Sequence, residues 1–231
     1  MPAEAAGAPR AFDALKAIAS VEPAGLTDAR RRFRTEAIAL ARAEGLGRAE
    51  MAFAVVPLDA PAADVLRAGG EAFFAPRMLP VSGKLTALAF GVCTIGPALV
   101  GKVRALFAER KMSLALALDT LGNQMLLEAS RRLQDRILAD VTKRGLTMAG
   151  ELRAGDPGLA LEAQPGVLRL AGGAKIGVTA TRSLALEPAK SATVMFGVGH
   201  DLPAALWSRC DDCRSRKTCA VALRAAAVAP V

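Results

Sequence analysis

The sequence predicts an α+β protein in which helices surround an antiparallel sheet. Helix-like segments come first, mixed elements occupy the middle, and an apparent hairpin lies near the end of the 231 residues. Strands and helices do not alternate regularly, as they would in a doubly wound parallel sheet. We find no internal repeat, and 52% apolar residues suffice for a sizeable core built mainly from Ala, Leu and Val.

The first predicted elements are two helices. A short helix is predicted over residues 11–19, and Pro23 follows it. Thr27 or Asp28 then stands where a capping residue is expected, and Gly45 stops the second helix just after residue 44. The second helix carries arginines on several sides, which we interpret as a solvated face or, alternatively, as a docking surface.

Two strands are predicted in the next part of the chain. Residues 51–56 predict a strand, and residues 59–83 are loop-like with one short helix near 62–68. Residues 85–92 are apolar enough to predict a buried strand. The turn that follows places Pro97 at the first turn of the next helix, where proline is favoured.

The middle of the chain is predicted to be helical. One helix extends to about residue 109, and a second spans residues 112–143 with a break near Gly122 and an end at Gly145. An apolar stripe at helical spacing predicts that this helix contributes to the core. The stripe consists of Leu126, Leu127, Leu133 and Ile137.

Turns and a hairpin dominate the last third. Residues 151–159 form a turn-dense loop, and residues 161–164 predict a short turn. Alternating residues then predict two strands, 176–181 and 192–197, joined by a turn at Pro188.

Composition excludes several classes of function. The net charge of +8 favours acidic partners, but the basic residues are scattered and only 4% of residues are aromatic, so we expect no nucleic-acid binding. The sequence contains no glycine-rich phosphate-binding motif, which argues against nucleotide binding through such a loop. It contains only one histidine, which argues against a hydrolase triad. The longest apolar stretch, 85–100, is too short to span a membrane, and no secretory signal is visible, so we expect a cytoplasmic protein.

The cysteines predict a metal site near the end of the chain. Cys210, Cys213 and Cys219 form a C-x2-C-x5-C pattern, in which the first two thiolates are placed side by side. A fourth ligand would complete an iron–sulfur or zinc site, and Cys93 and His200 are the candidates. The alternatives are that an exogenous molecule supplies the fourth ligand, or that the cysteines bind no metal at all.

Four short motifs, taken in order, resemble one family. They are the strand end Phe90-Gly91-Val92-Cys93-Thr94-Ile95-Gly96-Pro97, the helix segment Leu118-Asp119-Thr120-Leu121-Gly122, Leu161-Glu162-Ala163-Gln164, and the pair Lys175-Ile176-Gly177-Val178-Thr179 and Pro188-Ala189-Lys190-Ser191. Together they resemble the activation domain of cobalamin-dependent methionine synthase, in its short stand-alone form. The resemblance covers roughly residues 85–200.

The resemblance implies a cofactor and a set of binding residues. That family binds S-adenosylmethionine through a loop that begins with arginine, and the matching loop here contains Arg153, Gly155, Pro157 and Gly158. Arg153 is the strong donor of this loop and is suited to a ligand carboxylate, with a solvated turn arginine as the alternative. Asp135 matches the acidic end of a helix motif of the family.

The resemblance also implies a function and three segments. We expect an accessory protein for reductive reactivation of a corrinoid cofactor, which a partner methyltransferase presents and an electron-donor protein reduces. The alternative is a non-catalytic module with a zinc-stapled tail, since the tyrosine of the family's loop is missing here. Residues 1–24 would be a flexible N-terminus with a short helix, 25–203 the activation-domain-like domain, and 204–231 the Cys-rich tail.

Overall fold

The architecture comes from a computed structural model that describes residues 8–20, 23 and 25–203. The strands within this part are β1 (Arg10–Asp13), β2 (Arg48–Pro57), β3 (Val65–Ala68), β4 (Glu71–Phe74), β5 (Lys84–Thr94), β6 (Thr147–Leu152), β7 (Thr179–Ala180), β8 (Leu186–Glu187) and β9 (Ser191–His200). The helices are α1 (Ala14–Ile18), α2 (Asp28–Ala43), α3 (Pro97–Ala108), α4 (Met112–Lys143) and α5 (Gln164–Ala171). Short 3-10 turns cover Pro76–Met78, Leu161–Ala163 and Gly173–Ile176.

A five-stranded sheet with the order β1-β2-β5-β9-β6 forms the centre of the fold. Every neighbouring pair in it is antiparallel. The central strands β5 and β9 are buried along nearly their whole length. A strand covered on both faces cannot alternate apolar with polar residues, which explains the continuous apolar character of β5. The predicted α+β class with an antiparallel sheet is confirmed.

Helices α1 to α4 cover one face of the sheet. Their apolar residues form one core cluster with side chains from β5 and β9, including Leu118, Leu133 and Ile137 of α4. Helix α4 runs unbroken, so the break predicted near Gly122 is wrong. A Cβ at that position would lie 2.7 Å from Leu99 Cδ2 of α3, so glycine lets the two helices pack closely there. The glycine marks close helix packing rather than a helix end.

The other face is covered by α5, by the β3–β4 hairpin and by irregular segments. A second core cluster there includes Leu66, Phe73 and Leu168. The helix predicted over 62–68 is wrong, because β3 pairs with β4 through Gly69 and Gly70, both with positive φ. Two consecutive residues with positive φ are typical of a tight hairpin turn.

The predicted hairpin over 176–197 is the largest error. Ile176 ends a 3-10 turn, and the short β7 pairs with β8 in a separate two-stranded sheet. The second strand of the predicted hairpin, 192–197, is confirmed as part of β9. Its partners, however, are β5 and β6, which lie far away in sequence. The first predicted helix also starts late, at Ala14, because β1 pairs with β2 before it.

The remaining predicted elements agree with the structure in kind. Thr27 caps α2 as expected, its hydroxyl accepting from the N–H of Arg30, and Pro97 begins α3. The sequence missed β6 and α5, the latter because Pro165 and Gly166 suggested a loop. None of the described helices has both the length and the apolar character that crossing a bilayer requires.

Candidate functional site

Three strand ends and a loop meet at one end of the central sheet. Thr94, the last residue of β5, lies opposite Ser191, the first residue of β9. Strand β6 is antiparallel to β9, and its last residue Leu152 pairs with Met195. The loop after β6 therefore leaves the sheet at the same end. We call this the site end, defined by Thr94, Leu152 and Ser191.

A hydrogen-bonded cluster closes the site end between β5 and β9. The Ser191 hydroxyl donates to Thr94 Oγ1 over 2.8 Å, and the N–H of Gly96 donates to the same oxygen over 2.9 Å. The Thr94 hydroxyl in turn donates to the carbonyl oxygen of Lys190 over 3.4 Å. Thr94 is only 2% exposed, so these partners satisfy a buried polar group and fix the turn into α3.

Lys190 ties the site end to α4. Its side chain is 13% exposed, and Nζ lies 2.8 Å from Asp119 Oδ1 and 2.6 Å from Asn123 Oδ1. A largely buried ammonium group needs a carboxylate partner and further acceptors, and this pair supplies both. The start of β9 is therefore held to the first half of α4.

A second buried contact fastens α5 to β9. Gln164 Nε2 donates to Thr193 Oγ1 over 2.8 Å, and the two residues are 4% and 3% exposed. Gln164 is the first residue of α5. The contact therefore fixes the chain that follows the loop of residues 153–159.

The loop of residues 153–159 is built by its own hydrogen bonds. The N–H of Arg153 donates to Asp156 Oδ2 over 3.0 Å, and the N–H of Asp156 donates to the Arg153 carbonyl over 2.8 Å. The N–H of Gly155 donates to the Leu159 carbonyl over 2.9 Å. Leu159 is 2% exposed and anchors the loop in the core. Gly155 and Gly158 have φ values of +90° and +96°, which other residues rarely adopt.

Arg153 forms an ion pair with its neighbour on β6. Its Nε and Nη2 atoms donate to Glu151 Oε1 over 3.2 and 3.0 Å. Both side chains are partly buried, with 22% and 27% of their surface exposed. The pair therefore presents one positive and one negative group side by side at the site end.

The structure brings together most of the binding residues that the resemblance implied. Arg153, Gly155, Pro157 and Gly158 lie on the one loop. Asp135 is elsewhere, on the exposed side of α4. At 1.5 Å per residue it lies about 18 Å along the helix from Asn123. The binding role of all five residues stays a prediction.

Five residues of the site end were not predicted from the sequence to be site residues: Thr94, Gln164, Lys190, Ser191 and Thr193. Four of these belong to the motifs that carried the resemblance, and Thr193 follows them closely. The sequence did contain a signal that could have identified them as candidate site residues, because each is a polar residue within or beside an apolar run. Glu151 was also missed, since nothing in the sequence separates it from an ordinary surface carboxylate.

Cys93 lies inside the protein beside α4. It is fully buried, and its Sγ is 3.5 Å from the hydroxyl oxygen of Ser130. Burial raises the pKa of the Cys93 thiol, against smaller opposing effects from the Ser130 hydroxyl and the charge of Arg153. Among the described residues no three His, Cys, Asp or Glu side chains form a group that could hold a metal. Cys210, Cys213 and Cys219 lie outside the described residues, so their site and the role of Cys93 in it stay predictions.

The raised pKa of Cys93 predicts a pH dependence of stability. The folded protein keeps this thiol protonated at a pH where the unfolded chain, with its usual value of 9.0, has lost the proton. The contribution is therefore fully present below pH 9.0 and declines as the pH rises through the folded pKa. Urea denaturation at pH 8 and pH 10 should show a larger loss of stability for the wild type than for Cys93→Ala. Equal losses would contradict the buried thiol.

Comparisons with known proteins add one finding about the fold. No family model matches the sequence, and no curated protein matches it. Among solved structures, the crystal structure of the MetH reactivation domain bound to AdoHcy superposes with a TM-score of 0.59 and 11% identity. The match covers 78% of this chain and 67% of that one. The resemblance carried by the four motifs is thus confirmed at the level of structure: the chain has the fold of the MetH reactivation domain.

Proposed function

We propose that this protein is an accessory protein for the reactivation of a corrinoid-dependent methyltransferase, and that it binds S-adenosylmethionine at the site end. One observation carries the proposal. Three of the four motifs are joined at this end of the sheet by direct contacts of Thr94, Asp119 and Lys190, and the loop that begins with Arg153 leaves the sheet there too.

The charged pair at the site end fits the amino-acid part of such a ligand. S-adenosylmethionine carries an α-carboxylate beside an α-ammonium group, and Arg153 and Glu151 present the complementary charges side by side. The structurally similar MetH domain was solved with AdoHcy, which has the same amino-acid part. When bound, S-adenosylmethionine supplies a methyl group. The chain's own residues would hold its amino-acid end.

Replacing Arg153 with alanine tests this assignment. A charge-assisted hydrogen bond contributes about 1.5–3 kcal/mol, so we expect Arg153→Ala to weaken binding of S-adenosylmethionine and AdoHcy about tenfold or more. Isothermal titration calorimetry of the full chain measures this. Arg67→Ala is the matched control, because Arg67 is an exposed arginine on β3.

Two results would count against the proposal. One is a wild-type protein that binds neither compound. The other is Arg153→Ala and Arg67→Ala binding both compounds equally well, which would place the ligand away from the loop.

The proposed function also assigns the cysteines near the end of the chain a role in electron transfer. Cys210, Cys213 and Cys219 would hold an iron–sulfur cluster that passes an electron from a donor protein to the corrinoid presented by the partner. Anaerobic purification followed by a visible spectrum and metal analysis tests this. We expect broad absorption that disappears in Cys210→Ala, while Cys93→Ala shows whether the fourth ligand comes from the sheet.

A second candidate function is a non-catalytic binding module with a zinc-stapled tail. Two observations favour it: the Arg153 guanidinium is already engaged by Glu151, and Leu159 is buried instead of offering an aromatic face to a ligand. This candidate predicts a colourless protein with about one zinc per chain and no response to S-adenosylmethionine. Calorimetry and metal analysis together therefore separate the two functions.

A further inference from the structure

We infer that the tip of the α3–α4 hairpin is the surface on which the corrinoid-carrying partner docks. The tip is defined by Arg104, Phe107, Arg110, Met112 and Leu116. This inference rests on the proposed function and adds the contact surface and chemical character of the partner.

The tip projects beyond the sheet at the site end. Helix α4 runs antiparallel to β5, since Leu133 lies near Gly91 and Ser130 lies near Cys93, one residue before the strand ends. Asn123 and Asp119 then reach Lys190, which precedes the first residue of β9. The earlier residues of α4 therefore extend past the strand ends. A helix of this length is about 48 Å long, whereas β5 is about 37 Å long.

One face of α4 connects the tip to the site end. Met112, Leu116, Asp119 and Asn123 follow one another at spacings of four, three and four residues, which places them on a common face. Asp119 and Asn123 hold Lys190. A protein resting on Met112 and Leu116 would thus contact the same helix face that holds Lys190 at the site end.

The tip exposes three large apolar side chains within ten residues. Phe107 is 38% exposed, Met112 54% and Leu116 59%. Single exposed apolar residues are common on protein surfaces and need no explanation. A group of them at one projecting corner is more typical of an interaction surface.

The charges around the tip indicate an acidic partner. Arg104 and Arg110 have no carboxylate partner within the part of the chain that the structure describes, whereas Lys111 pairs with Glu109 over 2.8 Å. Arg110 has a φ of +58°, at a helix end where glycine is the usual residue. The chain thus keeps a cation at the tip despite an unfavourable backbone conformation.

These features fit a partner whose surface has an apolar centre and an acidic rim, and under the proposed function that partner is the corrinoid-carrying protein. A second copy of this chain fits less well. In a symmetric dimer the same patch faces itself, so Arg104 and Arg110 of one copy would meet those of the other. Like charges facing each other disfavour that pairing.

The test measures binding of the full-length chain to the corrinoid-binding module of a cobalamin-dependent methyltransferase loaded with cob(II)alamin. We expect Leu116→Asp to weaken binding about tenfold or more, as for a central interface residue. The control is Leu138→Asp, at the other end of α4, where the leucine is also 43% exposed. Arg110→Gly should raise the urea midpoint yet weaken binding and reduce its salt dependence.

Calorimetry with S-adenosylmethionine on the same variants separates this inference from the proposed function. Intact S-adenosylmethionine binding together with equal partner affinities for Leu116→Asp and Leu138→Asp would overturn the docking surface and leave the proposed function standing. Loss of partner binding in Leu116→Asp alone, with S-adenosylmethionine affinity unchanged, supports the surface. If light scattering shows that Leu116→Asp instead abolishes a dimer of the wild type, the occupant is a second copy and the inference is wrong.

Discussion

Gly199→Ala is expected to lower the free energy of unfolding by about 3 kcal/mol or more, because the added methyl group has no room. Gly199 lies between β5 and β6 in the sheet. A Cβ at this position would fall 1.9 Å from the carbonyl oxygen of Lys84 and 3.0 Å from Leu85 Cα. These are backbone atoms of the central strand pair, so relief requires the strands themselves to separate.

Urea denaturation of Gly199→Ala and Gly101→Ala provides a matched comparison. Gly101 lies inside α3, and a Cβ there would meet nothing within 4 Å. Alanine at that helical position should therefore stabilise the protein by about 0.5–1 kcal/mol. The same substitution is thus expected to act in opposite directions at the two sites. A Gly199→Ala protein as stable as the wild type would mean that the pairing of β9 with β5 is different at this end.

Local signals in the sequence were sufficient for elements whose ends are chemically marked. Helix α2 begins at Thr27, whose hydroxyl accepts from the N–H of Arg30, and α3 begins at Pro97 after a glycine with positive φ. Both marks act within a few residues of the chain. Such elements could be predicted because the interactions that define them are local.

The sequence could not predict which strands pair. Alternation in residues 176–181 suggested a partner for β9, but Val178 and Ile176 face the second core from irregular backbone. The actual partners, β5 and β6, lie far from β9 in the sequence. Alternation reports which side of a segment is buried, and it carries no information about the neighbouring strand.

The candidate site was predicted in part. Three of the four motifs contain residues that contact one another at the site end, and the loop containing Arg153 leaves the sheet at the same end. The binding role of that loop stays a prediction. The bonds themselves could not be predicted, since the contact between Lys190 and Asp119 joins residues far apart in sequence. A motif match also does not show where a residue lies in the fold. The match of Asp135 gave no indication that this residue lies on the exposed side of α4.

Gln164→Leu is expected to lower the free energy of unfolding by about 1–3 kcal/mol, because it leaves the buried Thr193 hydroxyl without its partner. Thr193→Val should have a similar effect, since the Gln164 amide then loses its acceptor. The double variant replaces both groups with apolar side chains of similar shape, so its stability should return close to that of the wild type. Urea denaturation of the four proteins gives the coupling energy.

S-adenosylmethionine binding by the same four proteins shows what this buried pair does for the site. Gln164 begins α5 directly after the loop and its 3-10 turn, so each single variant should also weaken ligand binding by loosening that segment. If the pair only positions the loop, the double variant should regain affinity together with stability. Recovery of stability without affinity would instead mean that the two polar groups contact the ligand. Strictly additive losses in stability would contradict the hydrogen bond between Gln164 and Thr193, and with it the way the structure fastens the loop to the sheet.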